Sequence, residues 1–209
     1  METQLLRGLL PPYMLSVIIP TISGREETLH RCMASYEETL AGTPYEIILI
    51  KDWPTWPAAC NEGYRRSKGG VVHFTADDLE ALPGWHIPAL LHLSVHNELP
   101  APFVYDYQSP PEGRWANEED GPPGSIPKFT RIPILTRTQY EKIGFWPSIV
   151  YYADYWVSEK GRTVGIETRM IEGYSFVHHW SQIGRVDSKE NMDTAGAEFN
   201  RLVKEMKRA

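Results

Sequence analysis

The sequence has few cysteines, no long apolar run and no excess of positive charge, and each shortage excludes a class of protein. Its 209 residues include only Cys32 and Cys60, too few for a disulfide scaffold and without the C-x-x-C spacing of a zinc site. No apolar run approaches the roughly 20 residues that a membrane-spanning helix needs. The net charge of −6 argues against a surface built mainly to hold nucleic-acid phosphates.

Apolar runs alternate with helical patterns in the first half of the chain. The runs "MLSVIIP" (14–20), "YEIILIK" (45–51) and "VVHFT" (71–75) predict buried strands. Apolar residues at helical spacing follow each run, and Ser23 with Glu26 predicts a capping box at the start of the first helix. This alternation indicates a mostly parallel central sheet with helices on both faces, an α/β architecture.

Polar side chains follow each of the three strands: "PTISGR", "KDWP" and "TADD". Parallel sheets bind ligands in the crevice beyond the carboxyl ends of their strands, so we expect these clusters to converge. Asp77 and Asp78 close the third strand. Two carboxylates at that edge are suitable hard oxygen ligands for Mg²⁺ or Mn²⁺, and the alternative is that they cap the next helix.

The second half of the chain is less regular. "PFVYDY" (102–107) predicts a strand, and the Pro- and Gly-rich stretch at 108–129 predicts a long loop. "RIPILT" predicts a further strand, followed by a short helix that Thr136 opens. A helix is expected mostly after Ser148, then edge strands over "RTVGIETRMIEGYSFVHH" and a C-terminal helix.

Three stretches of the first half resemble the nucleotide-sugar half of GT-A fold glycosyltransferases of the family-2-like group. They are "SVIIPTISGREETLHRCMASY", "EIILIKD" and "NEGYRRSKGGVVHFTADDLEALPGW", and the similarity spans roughly residues 14–95 in order. A weaker resemblance continues at "GFWPSIVYYADYWVSEKGRTVGIE". The resemblance implies a GT-A, Rossmann-like fold over 1–209. It divides the chain into a nucleotide-sugar half at 14–100, an acceptor half at 101–187 and a C-terminal helix at 188–209.

The resemblance also implies which residues of the first half hold the donor. Asp52 would hydrogen-bond the base, usually a uracil, and Asp77 would lie near the ribose or sugar. Asp78 would bind the Mn²⁺ or Mg²⁺ that bridges the diphosphate. The first aspartate of the usual motif falls at Ala76, which leaves the x-Asp-Asp form of the motif. Pro20 and Thr21 would line the nucleotide pocket, and Arg25 would reach the base or the phosphates. Asn61 and Arg65 would flank the nucleotide or buttress its pocket.

In the second half, the resemblance places Asp154 as the general base on the acceptor hydroxyl, which would invert the anomeric configuration. Ala153 replaces the glutamate that usually precedes this aspartate, and the alternative is an exposed helix aspartate. His178 or His179 would supply an imidazole to the metal. Neighbouring strand residues face opposite ways, so at most one of the two is expected to face the site, and His178 is slightly favoured. Arg185 would neutralise the leaving diphosphate.

The sequence therefore predicts a metal-dependent transferase that moves a sugar, most simply from a UDP-sugar, to an acceptor hydroxyl. The acceptor is open between a saccharide, a protein and a modified nucleic-acid base. The sparse cysteines make a cytoplasmic location the simplest expectation. Two alternatives remain: a non-catalytic nucleotide-sugar-binding module, which Ala76 and Ala153 would explain, and a nucleotidyltransferase, which usually needs more glycines than "PTISGRE" contains.

Overall fold

A computed structural model describes residues 15–106, 121–147, 149, 152–179 and 189–208. Its strands are β1 (Leu15–Thr21), β2 (Tyr45–Lys51), β3 (Val71–Phe74), β4 (Leu79–Ala81), β5 (Glu98–Asp106), β6 (Ile134–Thr136) and β7 (Glu167–His178). Its helices are α1 (Glu26–Thr39), α2 (Trp56–Arg66), α3 (His86–Val95), α4 (Arg137–Ile143), α5 (Ala153–Thr163) and α6 (Lys189–Met206).

The central sheet has the strand order β2-β1-β3-β6. Strand β1 pairs in parallel with β2 and β3, whereas β6 runs antiparallel to β3. The predicted α/β class and mostly parallel central sheet are therefore confirmed. Every residue of β1 is buried, as expected for a strand covered on both faces.

Helices cover both faces of the central sheet, and the alternation of side chains along β1 shows how. Val17 and Ile19 pack with Tyr36 of α1, whereas Ile18 packs on the other face with Cys60 of α2. Helix α2 lies so close to the sheet that a Cβ added at Gly63 would collide with Cγ2 of Ile18. The parallel strands therefore end at one edge, between two helical layers.

A second sheet has the order β4-β7-β5 and packs against the central sheet on the α1 side. Strand β7 is its middle strand, antiparallel to β4 and parallel to β5. The prediction of edge strands over this segment was wrong, because β7 is one strand of 12 residues with a partner on each side. The pairing of Leu79 with His178 brings the end of β7 beside Asp78.

Helix α4 begins after Thr136, as predicted, with a capping box: Thr136 accepts a hydrogen bond from the Gln139 amide, and the Gln139 side chain accepts one from the Thr136 amide. Helix α6 packs on α5 through Phe199, whose ring stacks on that of Tyr152 at 5.4 Å between centroids. The predicted division of the chain at residues 100 and 187 stays a prediction. Across the described residues, no helix is both long enough and apolar enough to span a membrane.

Candidate active site

Asp77 and Asp78 lie in a tight turn between β3 and β4. The side chain of Asp77 is 1% exposed and that of Asp78 is 13% exposed. The amide of Leu79, the first residue of β4, donates to the carbonyl of Ala76 at 3.3 Å. No helix begins here, since α3 starts only at His86. The interpretation of the pair as a helix cap is therefore wrong, and the two buried carboxylates need another partner.

That partner is Arg25, which lies at the start of α1. Its Nη1 is 3.0 Å from Oδ1 of Asp77, and its Nη2 is 2.5 Å from Oδ2 of Asp78. Thr21, the last residue of β1, donates its hydroxyl to Oδ2 of Asp77 at 2.6 Å. One guanidinium thus bridges two carboxylates, a geometry for which the planar fork of arginine is well suited.

His178 completes the group from the end of β7. Its Nε2 lies 3.5 Å from Oδ2 of Asp78, the oxygen that Arg25 also contacts. His179 points elsewhere: its amide donates to the Asp78 carbonyl at 2.7 Å, and its Nε2 lies 2.7 Å from Oε2 of Glu80. The structure therefore brings His178, and not His179, to the Asp78 carboxylate.

The two carboxyl groups differ in their affinity for protons. Burial raises the pKa of Asp77 and outweighs Thr21 and Arg25, which act to lower it. Burial also acts to raise the pKa of Asp78, but the hydrogen bond and charge of His178, together with Arg25, bring it below its ordinary value. Asp78 therefore loses its proton more readily than Asp77, and a deprotonated carboxylate is the form that a metal ligand needs.

Asp52 adjoins this group through the backbone of Thr21. Its amide donates to the Thr21 carbonyl at 2.9 Å, and its carboxylate accepts from the amide of Ser23 at 2.7 Å and from the Ser23 hydroxyl at 2.8 Å. The bonds from Ser23 lower the pKa of Asp52. The predicted capping box of Ser23 with Glu26 was wrong, because Ser23 bonds with Asp52 and Arg25 occupies the N-cap position without a side-chain bond.

The remaining donor residues from the first half do not join the carboxylate group. Pro20 is a buried residue of β1, paired in register with Ile50. Asn61 bonds within the protein: its Nδ2 donates to the Trp146 carbonyl at 2.8 Å, and its Oδ1 accepts from the Tyr140 hydroxyl at 2.7 Å. Asn61 thus supports the loop before α5, which fits the buttressing role rather than a ligand contact.

Arg65 lies in the last turn of α2, where it pairs with Glu62 at 3.2 Å and stacks over the ring of Phe145. It follows Trp56, the first residue of that helix, by nine positions, which corresponds to about 13 Å along the axis. Trp56 is at the site end and donates its Nε1 to the Thr75 carbonyl at 3.0 Å. Arg65 therefore lies at the end of α2 away from the strand ends, and its role in flanking the nucleotide or buttressing the pocket stays a prediction.

Asp154 is the second residue of α5 and is half-buried, so it is not the fully exposed helix aspartate of the alternative interpretation. Its Oδ1 accepts from the amide of Tyr155 at 2.9 Å. The residue before the helix, Tyr152, has φ 68, and Asp52 has φ 57; these are the two non-glycine residues with positive φ in the described part of the chain. Strained backbone of this kind accumulates at functional sites. Here it lies at the predicted site residue Asp52 and two residues before the predicted site residue Asp154.

Arg185 lies outside the described residues.

Sequence reasoning missed two residues of the site, Ser23 and Trp56. Both could have been anticipated from strand order, because the ends of neighbouring parallel strands meet at one edge. Ser23 follows β1 by two residues and Asp52 follows β2 by one, so their side chains are placed to meet. Trp56 begins the helix that leaves the same edge.

The side chains that could hold a divalent ion are Asp78 and His178. Among the described residues, no group of three or more His, Cys, Asp or Glu side chains is arranged to hold a metal. Asp78 and His178 supply one oxygen and one nitrogen 3.5 Å apart, close to the roughly 3 Å between neighbouring ligand atoms in octahedral coordination. Such a pair fits Mn²⁺ or Mg²⁺ if diphosphate oxygens and water complete the shell.

The architecture and the position of the acidic pair define a mixed α/β protein with a Rossmann-like glycosyltransferase fold. Among solved structures, the chain is similar to S. aureus TarS, a glycosyltransferase, with a TM-score of 0.60 at 12% sequence identity. The match covers 89% of this chain and 42% of the TarS chain, so this chain spans less than half of that protein. No protein-family model and no curated protein matches the sequence. The similarity shows the fold, and the roles of individual residues have to be argued from the site.

Proposed function

We propose that this protein is a metal-dependent glycosyltransferase that moves a sugar from a nucleotide-sugar, with a UDP-sugar favoured, to an acceptor hydroxyl with inversion. The observation that carries the proposal is the cluster of ionised Asp78, His178 and Arg25 at the carboxyl edge of β3. This is the edge where ligands bind in sheets of this type. The fold is that of a glycosyltransferase, which supports glycosyl transfer in general.

The residues of the site divide the work of binding the donor. Asp52 and Thr21 lie at the ends of neighbouring strands and are joined by a backbone hydrogen bond, so together they would position the nucleoside. Asp78 and His178 would hold the divalent ion beside the diphosphate. A bound ion there would supply Lewis-acid stabilisation of the charge that develops on the leaving phosphate. Arg25 would add positive charge at the same place.

In the transfer step, the bond between the anomeric carbon and the phosphate oxygen breaks, and the nucleoside diphosphate leaves. The acceptor oxygen forms the new bond from the opposite face, and its proton passes to Asp154. Asp154 lies at the start of α5, a helix that packs against the central sheet through Val157.

The proposal is tested by measuring UDP release from a panel of UDP-sugars with and without Mn²⁺. Asp78→Asn keeps the size of the side chain but removes the negative charge, and we expect it to abolish Mn²⁺-dependent release. Glu80→Gln is the matched control, because Glu80 also carries a carboxylate near the end of β7 but pairs with His179. Release by D78N at the wild-type rate would refute the metal role of Asp78. Binding of UDP without any turnover would favour the binding-module alternative.

A further inference from the structure

We infer that Arg25 competes with divalent cations for Asp78, and that a nucleotide diphosphate relieves this competition by drawing the guanidinium onto its phosphates. Cation and nucleotide would then bind as a coupled pair, each increasing the affinity for the other. This inference deepens the proposed function and depends on it, since it concerns the same acidic pair.

One carboxylate oxygen of Asp78 serves two partners. Oδ2 of Asp78 is the atom that Nη2 of Arg25 contacts at 2.5 Å, and it is also the atom nearest to Nε2 of His178. A divalent ion between Asp78 and His178 would lie within a few ångströms of the guanidinium. The two positive charges would repel each other strongly in a site that is mostly buried. The cation can therefore bind well only if Arg25 moves away.

A diphosphate would offer Arg25 more hydrogen-bond acceptors than the two aspartates do. Its Nε is buried and has no hydrogen-bond partner among the described residues, although both Nη atoms are paired. A buried N–H without an acceptor is costly, and a phosphate group offers several anionic oxygens within one small volume. The guanidinium can satisfy all its donors by turning to a diphosphate, which it cannot do with the two carboxylates alone.

The helix that Arg25 precedes does not hold its side chain in place. Arg25 is the N-cap residue of α1 and makes no side-chain capping bond there. It follows Gly24, whose φ is 90, at the end of a loop held by the bond between Ser23 and Asp52. The side chain is thus anchored in the described structure by the acidic pair, and not by the helix that it precedes.

The expected consequence is reciprocal coupling between the two ligands. Without nucleotide, Mn²⁺ meets Arg25 on Asp78 and binds weakly. With UDP bound, the guanidinium lies on the phosphates, and the same carboxylate is free for the ion. Removing the guanidinium should strengthen the binding of Mn²⁺ alone and reduce the additional gain that UDP brings.

The test is a titration of free Mn²⁺ by electron paramagnetic resonance on chelator-treated protein, with and without UDP. We compare the wild type with Arg25→Gln, Asp78→Asn and Lys51→Gln. Lys51 is the matched control for loss of one nearby positive charge, because it pairs with Glu26 rather than with the acidic pair. We expect R25Q to bind Mn²⁺ alone about tenfold more tightly than the wild type, with K51Q unchanged. UDP should tighten binding in the wild type much more than in R25Q.

Three results would overturn the inference. If R25Q binds Mn²⁺ no more tightly than the wild type while UDP still promotes binding in both, Arg25 does not compete, and the proposed metal site stands. If K51Q gains as much as R25Q, the effect is one of general charge. Should no protein bind Mn²⁺ even with UDP, both the inference and the metal dependence of the proposed function fail. A thermal melt of each variant verifies folding. If R25Q does not fold, Arg25→Lys takes its place: lysine cannot bridge both carboxylates, so we expect a gain in Mn²⁺ affinity that is smaller than the one expected for R25Q.

Discussion

Both carboxylate oxygens of Asp52 accept hydrogen bonds from Ser23, one from its amide and one from its hydroxyl. These two hydrogen bonds connect the end of β2 to the loop that follows β1. It also accounts for the left-handed backbone of Asp52, which turns the carboxylate back across the edge of the sheet. The same loop ends at Arg25, so the contact between Ser23 and Asp52 helps to position the Arg25 side chain. It thereby links Asp52, the predicted contact of the nucleotide base, to the acidic pair.

Removing this contact should loosen the loop without unfolding the protein. Asp52→Ala deletes both acceptors, and Ser23→Ala deletes one donor while the amide bond remains. We expect hydrogen exchange at the amides of residues 23–25 to become roughly five- to tenfold faster in D52A, and less so in S23A. Ser94→Ala removes a comparable exposed bond on α3 and should leave this loop unchanged. Unaltered exchange in D52A would mean that the loop is held by other contacts.

The close approach of α2 to the sheet gives a second prediction, on stability. A methyl group at Gly63 has to displace Ile18, which is fully buried in the middle of β1. Gly63→Ala should therefore lower the free energy of unfolding by about 1–3 kcal/mol, as overpacking of a core commonly does. The measurement is urea denaturation followed by tryptophan fluorescence.

The control for this prediction is Gly196→Ala in α6. A Cβ there meets the ring of Tyr152 at 3.7 Å, an ordinary van der Waals distance. Alanine is also the better helix former, so G196A should be neutral or slightly stabilising. A neutral G63A would show that β1 and α2 can separate without cost.

The parallel strands and their ends were predictable from the sequence, because a strand that is buried on both faces is a nearly continuous apolar run. Strand β1 was expected at 14–20 and is found at Leu15–Thr21, and β2 was expected and found at 45–51. Strand β4 was missed, since its three residues are too few to show a period. The central place of β7 was also missed, because the sequence of one strand does not say which partners it has.

The part of the site that depends on where the strands end was predictable from the sequence, and the part that depends on the direction of individual side chains was not. The end of β3 was expected to carry a metal-binding pair, and the structure places His178 beside it. The bridge from Arg25 to both aspartates joins residues that are distant in the sequence and depends on the direction of a long side chain. The sequence suggested a partner for Ser23 three residues away, but Ser23 donates instead to Asp52, which is distant in the sequence and is brought there by the pairing of β1 with β2.

A buried histidine gives a third prediction, on pH. His73 of β3 is 0% exposed, lies within an aromatic cluster, and is bonded to the Tyr36 hydroxyl at 2.8 Å. Burial lowers the pKa of His73 from 6.5 to about 3. The unfolded chain therefore binds a proton that the folded protein does not, and the stability from neutral His73 is present above pH 6.5 and is lost as the pH falls towards 3.

Between pH 6.5 and pH 4.5 this histidine should cost about 2 kcal/mol of unfolding free energy, because the slope is about half of its full value of roughly 1.4 kcal/mol per pH unit at pH 6.5 and reaches the full value below it. His73→Gln should be less sensitive to that change by about this amount, as measured by urea denaturation at the two values. The variant is tolerable because the Tyr36 hydroxyl also bonds to Thr75 at 2.9 Å. His30→Gln, at an exposed position of α1, is the control and should keep the wild-type pH dependence. An unchanged slope in H73Q would assign the acid sensitivity to other groups.

The last prediction concerns Asp154, which we propose accepts the proton of the acceptor hydroxyl. Asp154→Asn keeps the hydrogen bond to the Tyr155 amide but cannot take up a proton, so the chemistry should fail while the donor still binds. We expect the rate of sugar transfer to fall by about 10²–10⁴-fold and the dissociation constant for UDP with Mn²⁺ to remain within twofold. Calorimetry with UDP and a coupled assay of UDP release measure the two quantities. Glu159→Gln, on the same helix and paired with Arg162, should leave both unchanged. If D154N loses donor binding instead, the carboxylate serves the nucleotide and another group accepts the proton.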